Sequence, residues 1–76
     1  MFDRIFFGER LRALRIAKDV PQTTLANLLG VTRTQISDLE NGKTTTSIER
    51  LVQLAEYFDV STDYLLGRTN DPRVYR

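Results

Sequence analysis

The sequence predicts an all-α fold of five helices. Three observations predict it. Apolar residues recur at helical spacing, as in Phe7, Leu11 and Leu14, and again in Ile48, Leu51, Leu54, Ala55 and Phe58. Residues able to cap a helix stand where these stretches begin. No alternating strand pattern, internal repeat or low-complexity run interrupts them.

Taken in order, the first helix begins at Arg4 or Phe7 and runs to Ala17, with Asp3 as a candidate cap. The aromatic start, Phe2, Ile5 and Phe6, is expected to cover the core, with a partner subunit as the alternative. The helix stops near Lys18-Asp19, where Asp tolerates a left-handed conformation better than most residues. The second helix spans Gln22 to Leu29. Pro21 before it cannot cap with a hydroxyl, although proline starts helices well. Gly30 makes the turn, because a positive φ is cheap only for glycine. Thr32 caps the third helix, and Thr32 with Gln35 has capping-box spacing. Leu25, Leu28, Val31, Ile36 and Leu39 fall along one buried seam, and Arg33, Thr34, Ser37 and Asp38 fall on the opposite side of the third helix. Residues 22–41 thus read as two short helices at a tight turn.

After Gly42 comes a polar loop, Lys43 to Thr46. Thr46 and Glu49 have capping-box spacing, and the fourth helix is expected from Ser47 to Phe58. Asp59 ends it. Ser61 caps a short fifth helix, Thr62 to Leu66, and Gly67 closes the domain. The domain is therefore read as residues 1–67, and residues 68–76, with Pro72 and many polar groups, as a frayed tail.

A chain of 76 residues holds one small domain whose core is marginal on its own, so self-association would help it. Cys and His are both absent. That excludes a disulfide framework and a thiolate metal site, and removes the commonest general base and imidazole ligand. No Gly-rich phosphate loop or metal-ligand spacing is present. An enzyme, a cofactor and a bound metal are therefore not expected, and no small-molecule ligand is evident. No apolar run approaches the roughly 18 residues needed to span a bilayer. The start lacks the pattern of a signal peptide. A cytoplasmic protein with no membrane association is expected.

Net charge is only +1, so the distribution matters more than the sum. Arg10, Arg12, Arg15 and Lys18 precede the two-helix stretch, and Arg33 and Lys43 lie within and just after it. Glu49, Glu56, Asp59 and Asp63 come later. One basic face and one neutral-to-acidic face would suit a protein that meets nucleic acid on one side.

The stretch from Gln22 to Asn41 resembles the helix-turn-helix of the lambda-repressor-like, or Cro/C1-type, family. The resemblance rests on Gln22 opening its helix, Leu25-Ala26, Gly30-Val31, Ile36 and the run Leu39-Glu40-Asn41-Gly42. Arg15 upstream, Leu54-Ala55, and Val60 through Leu66 extend it, so that it covers Phe7 to Leu66. Asp19, Pro21, Thr46 and Asp59 depart from the glycine, the hydroxyl cap, the proline and the glycine usual in the family.

The resemblance implies a five-helix lambda-repressor-like fold that binds double-stranded DNA with the third helix in the major groove. It implies base reading by Arg33, Thr34, Ser37 and Asp38. Arginine offers two donors to guanine, whereas Asp38 must accept from cytosine, orient Arg33 or face solvent. It implies phosphate contacts from Gln22, Gln35, Asn41 and Lys43, with Gln35 free to cap as well. It implies a mostly buried ion pair between Arg15 and Glu40. It also implies a two-fold homodimer contact through Val60, Tyr64, Leu65 and Leu66. The expected function is a transcriptional repressor on a symmetric operator. The alternative is a protein-interaction module, such as an antitoxin-like partner, built on the same fold.

Overall fold

Asp3 starts the first helix. Its Oδ1 accepts from the N–H groups of Ile5 and Phe6 at 3.0 and 3.1 Å. The computed structural model describes residues 1–74, and among these the backbone forms five helices and no strand. They are α1 (Arg4–Ala17), α2 (Gln22–Leu29), α3 (Arg33–Glu40), α4 (Ile48–Phe58) and α5 (Thr62–Leu65). No helix among the described residues is long and apolar enough to cross a membrane.

Each boundary has a local cause. The α1 and α4 ends turn through Asp19 and Asp59, both left-handed, with φ of 55° and 53°. Gly30 takes the same conformation after α2, with φ of 68°. Pro21 precedes α2 and makes no side-chain cap. The α4 cap is Ser47, whose Oγ accepts from the N–H of Arg50 at 3.2 Å, not Thr46 as the capping-box spacing suggested. Ser61 caps α5 in the same way, through the N–H of Tyr64.

The core forms where the apolar stripes meet. Phe7 and Leu11 from α1, Leu25 from α2, Ile36 from α3, Leu54 from α4 and Leu65 from α5 are completely enclosed. Full burial of such a side chain contributes about 1.5–3 kcal/mol, so these residues dominate the stability of a chain this short. Gly8 sets how closely α1 crosses the end of α3. A Cβ there would overlap the Glu40 carbonyl and lie 2.5 Å from the carbonyl oxygen of Leu39.

Several expectations are corrected. Ile5 and Phe6 do not enter the core. They are exposed by 58% and 39%, because Phe7 and Leu11 take the inward face of α1 and their neighbours are turned away from it. Phe2 precedes the helix and, though 46% exposed, lies against the core at the ring of Phe7. Ile48, placed in the buried stripe of α4, is 80% exposed, since it is the first residue of that helix and lies past the edge of the core. Val60 and Leu65 were expected at a dimer contact. They are core residues, 7% and 0% exposed, and offer no surface to a partner. Tyr64 and Leu66 remain partly exposed.

Part of the segment after Gly67 is tied to the body of the domain, at Thr69, Asn70 and Pro72. The Arg10 guanidinium donates to the carbonyls of Tyr64 and Thr69, each at 2.8 Å, and to Asn70 Oδ1 at 2.9 Å. The Ser61 N–H donates to the Pro72 carbonyl at 3.0 Å. Hydrogen bonds from the Arg73 side chain and backbone N–H hold the Asp71 carboxyl below the usual range. The rest of the expected tail, positions 75 and 76, lies outside the described residues.

Candidate nucleic-acid interface

The candidate interface is built on α3, and Thr32 fixes where that helix begins. Thr32 Oγ1 accepts from the Gln35 N–H at 3.1 Å, and Gln35 Oε1 accepts from the Thr32 N–H at 2.8 Å. This capping box commits the carbonyl end of the Gln35 side chain and leaves its amide N–H groups outward. Ile36, Leu39 and Glu40 face inward and are buried. Arg33, Thr34, Gln35 and Asn41 are exposed, while Ser37 and Asp38 are partly exposed.

Glu40 is the one buried charged side chain among the described residues, at 4% exposed. An unpaired carboxylate there, at the negative end of α3, would be costly. Arg15 answers it with two bonds, Nε to Oε2 at 2.6 Å and Nη2 to Oε1 at 3.1 Å. Arg15 Nη1 also donates to the Val20 carbonyl at 3.1 Å, which ties in the turn after α1. Gln22 Nε2 donates to Glu40 Oε1 at 3.1 Å, and Gln22 Oε1 accepts from Arg33 Nη1 at 3.3 Å. A continuous chain of side chains therefore runs from the buried pair to the exposed Arg33. Each Gln22 amide atom faces the charge that suits it, so the amide has one orientation.

The expected site residues divide between two grooves. A cleft of about 510 Å³ brings Gln22, Arg33, Ser37 and Asn41 together with Arg12 and Thr23. Thr34 is exposed on α3 and lines neither groove. Asp38 lies elsewhere, in a smaller groove of about 230 Å³ with Gln35, the Thr44–Thr46 loop and Arg50. Asp38 has no bond to Arg33. Its carbonyl accepts from the Lys43 N–H at 2.9 Å, which places the Lys43 side chain, exposed, just beyond α3.

Three participants were not among the expected site residues: Arg12, named only within the basic cluster, and Thr23 and Arg50. Helical spacing could have found Arg12, since it stands four residues after Gly8 and three before Arg15 on the side of α1 that meets α3. The same spacing removes Arg10 from the basic face. Arg10 points the other way, stacked on the rings of Phe6 and Tyr64 at 4.7 and 4.1 Å. Among the described residues no group of acidic, His or Cys side chains could hold a metal ion.

The helix pair across Gly30, its exposed recognition face and the cleft beside it agree with a helix-turn-helix family match covering residues 11–65. The chain belongs to the Cro/C1-type helix-turn-helix family. It is 39% identical over 64 residues to YonR, a prophage-derived HTH-type transcriptional regulator of Bacillus subtilis, covering 84% of this chain and 59% of that protein. It is 42% identical over 61 residues to BcrR, an HTH-type transcriptional activator of Enterococcus faecalis, covering 80% of this chain and 30% of that protein. This helix-turn-helix chain thus spans about three-fifths or less of the length of these relatives. Its fold superposes on the P22 c2 repressor, solved in complex with a synthetic operator, with a TM-score of 0.74 and 36% identity over 80% of this chain and 92% of that one. The chain is thus a helix-turn-helix domain, and the relatives it matches are named as transcriptional regulators.

Proposed function

We propose that this domain binds a two-fold symmetric DNA operator in a sequence-specific manner, as a homodimer, and acts as a repressor. The observation that carries the reading is the surface of α3. Its buried face is fixed by Ile36, Leu39 and the Arg15–Glu40 pair. Its opposite face presents Arg33, Thr34 and Ser37 with no apolar cover.

In this reading α3 lies in the major groove, with its first turn toward the bases. Arg33 donates two of its guanidinium N–H groups to a guanine edge, and Gln22 holds it ready. Thr34 and Ser37 contact neighbouring bases. Asp38, seated in the second groove, reads a cytosine amino group at the margin. The phosphates on one side meet the N-terminus of α2, where Pro21 leaves the first N–H groups uncapped beside Gln22 and Thr23. Arg12 and Asn41 border the same cleft. Gln35 and Lys43 meet the backbone on the other side. The partly exposed Tyr64 and Leu66, far along the chain from α3, contribute to the dimer. The repressor assignment follows the P22 c2 likeness, with activation, as named for BcrR, as the opposite sign.

Titration of operator and random DNA at several salt concentrations tests this. Specific binding should exceed random binding by about 10³-fold or more, and log K should fall linearly with log salt, at about 0.9 per phosphate contact. Weak binding without sequence preference would transfer the fold to a protein-interaction role.

A further inference from the structure

The aromatic start of the chain is not absorbed by the core or by the DNA face. Met1, Phe2 and Phe6 line a groove of about 590 Å³ together with Leu66, and Asp3 and Arg68 line the same groove. We propose that this groove is the seat of a second copy of the chain, and so the main part of the dimer contact. The inference rests on the homodimer reading above and relocates the contact within it.

The groove is built rather than incidental. Phe6 is pinned on one side by the Arg10 guanidinium, itself stacked on Tyr64. On the other it lies against Gly67, where a Cβ would come within 2.7 Å of the Phe6 ring. The Phe2 ring is tilted against buried Phe7, with centroids 5.9 Å apart. Aromatic walls held in this way lose little side-chain freedom when covered, which is the property of interface anchors.

Charge selects the occupant. Asp3 caps α1 through Oδ1 alone, leaving its other carboxylate oxygen outward. Arg68 is exposed and its side chain has no partner among the described residues. One acid and one base border a single apolar groove. A two-fold axis passing between them would set Asp3 of each copy against Arg68 of the other, the self-complementarity that an isologous contact requires. The groove shares no residue with the α3 cleft and adjoins Leu66, so a second copy seated there leaves α3 free for DNA.

Sedimentation equilibrium over a wide concentration range tests the proposal on the wild-type chain, Arg68→Glu, Phe2→Ala and the charge exchange Asp3→Lys with Arg68→Glu. Thermal melts establish that each variant is folded. The Arg68 side chain has no bonds to lose among the described residues, and its backbone bond to the Asp63 carbonyl survives the substitution, so Arg68→Glu isolates the contact. The expected result is self-association weakened at least about tenfold by Arg68→Glu and by Phe2→Ala, in the range of anchor truncations. The charge exchange should recover most of the Arg68→Glu loss. A folded exchange variant that recovers nothing overturns the paired two-fold geometry. Unchanged self-association in both single variants overturns the proposal while leaving the homodimer reading intact. A wild-type chain that stays monomeric both free and on DNA overturns both.

Discussion

Glu40 is enclosed because three donors from two other helices converge on it. Removing it leaves the Arg15 guanidinium, whose side chain is 14% exposed, facing a space with no anion. Glu40→Ala should therefore cost about 3–5 kcal/mol by denaturant unfolding, and Arg15→Met with Glu40→Leu should recover much of it. A loss within the ~0.5 kcal/mol typical of surface positions would show the pair to be dispensable. Gly8 sets two effects of opposite sign against each other. Alanine is better than glycine in a helix by about 1 kcal/mol, but here the added methyl meets the carbonyls of Leu39 and Glu40. Overpacking against backbone that cannot yield costs about 1–3 kcal/mol. Gly8→Ala should thus lower the melting temperature, and a rise would mean that α1 shifts away from α3 freely. At the DNA face, Arg33→Ala should weaken the best operator by about 1–3 kcal/mol and relax preference at one base pair. Lys43→Ala should weaken all sequences about equally. Binding to an operator library distinguishes them, and an even loss for Arg33→Ala would reduce it to a phosphate clamp.

At the scale of elements, Asp19 and Asp59 carry the strain. An L-residue in the left-handed region costs roughly 1–2 kcal/mol relative to glycine, partly offset because glycine has more freedom to lose on folding. Asp19→Gly should raise the melting temperature by a few degrees, since about 1 kcal/mol corresponds to 4–8 °C in a domain this size, with Asp19→Asn between. A fall would show that the Asp19 side chain contributes more than its backbone strain costs. These two ends were legible in the sequence because a break in the apolar stripe and a tolerant residue coincide there. The α4 start was not, because Thr46–Glu49 and Ser47–Arg50 offer caps one residue apart and local chemistry hardly separates them. Ile48 shows the same limit, since periodicity marks the face of a helix and not how far the core extends along it. For Ile5 and Phe6, composition misled where helical phase was informative. Residues adjacent to inward-facing Phe7 must point elsewhere on a helix. Arg15 and Glu40 were named by resemblance, but the Gln22 link to Arg33 depends on side-chain reach between helices that no spacing along the chain encodes. Val60 and Leu65 were placed at a surface because apolar residues in a short helix suit a core and an interface equally.

For the whole molecule, the net charge of +1 conceals an uneven distribution that decides how the domain meets DNA. Arg12 and Arg33 border the cleft beside α3 and Lys43 follows α3. Glu56 on α4 and Asp63 on α5 line neither groove beside α3. Exposed charges farther apart than the Debye length, about 8 Å at physiological salt, are largely screened from one another. Position should therefore outweigh net charge. Neutralising two acids by Glu56→Gln with Asp63→Asn raises the net charge by two, yet should leave operator affinity within about twofold at 0.15 M salt. Neutralising two bases by Arg12→Gln with Lys43→Gln lowers it by two. It should weaken binding to all sequences and reduce the salt slope by about two units per domain, as two lost phosphate contacts require. Titrations of the three proteins against the same operator at several salt concentrations measure both quantities. Equal and opposite changes in affinity from the two pairs would mean that the domain is drawn to DNA by its overall charge, and the division of its surface by α3 would then lose its role in recognition.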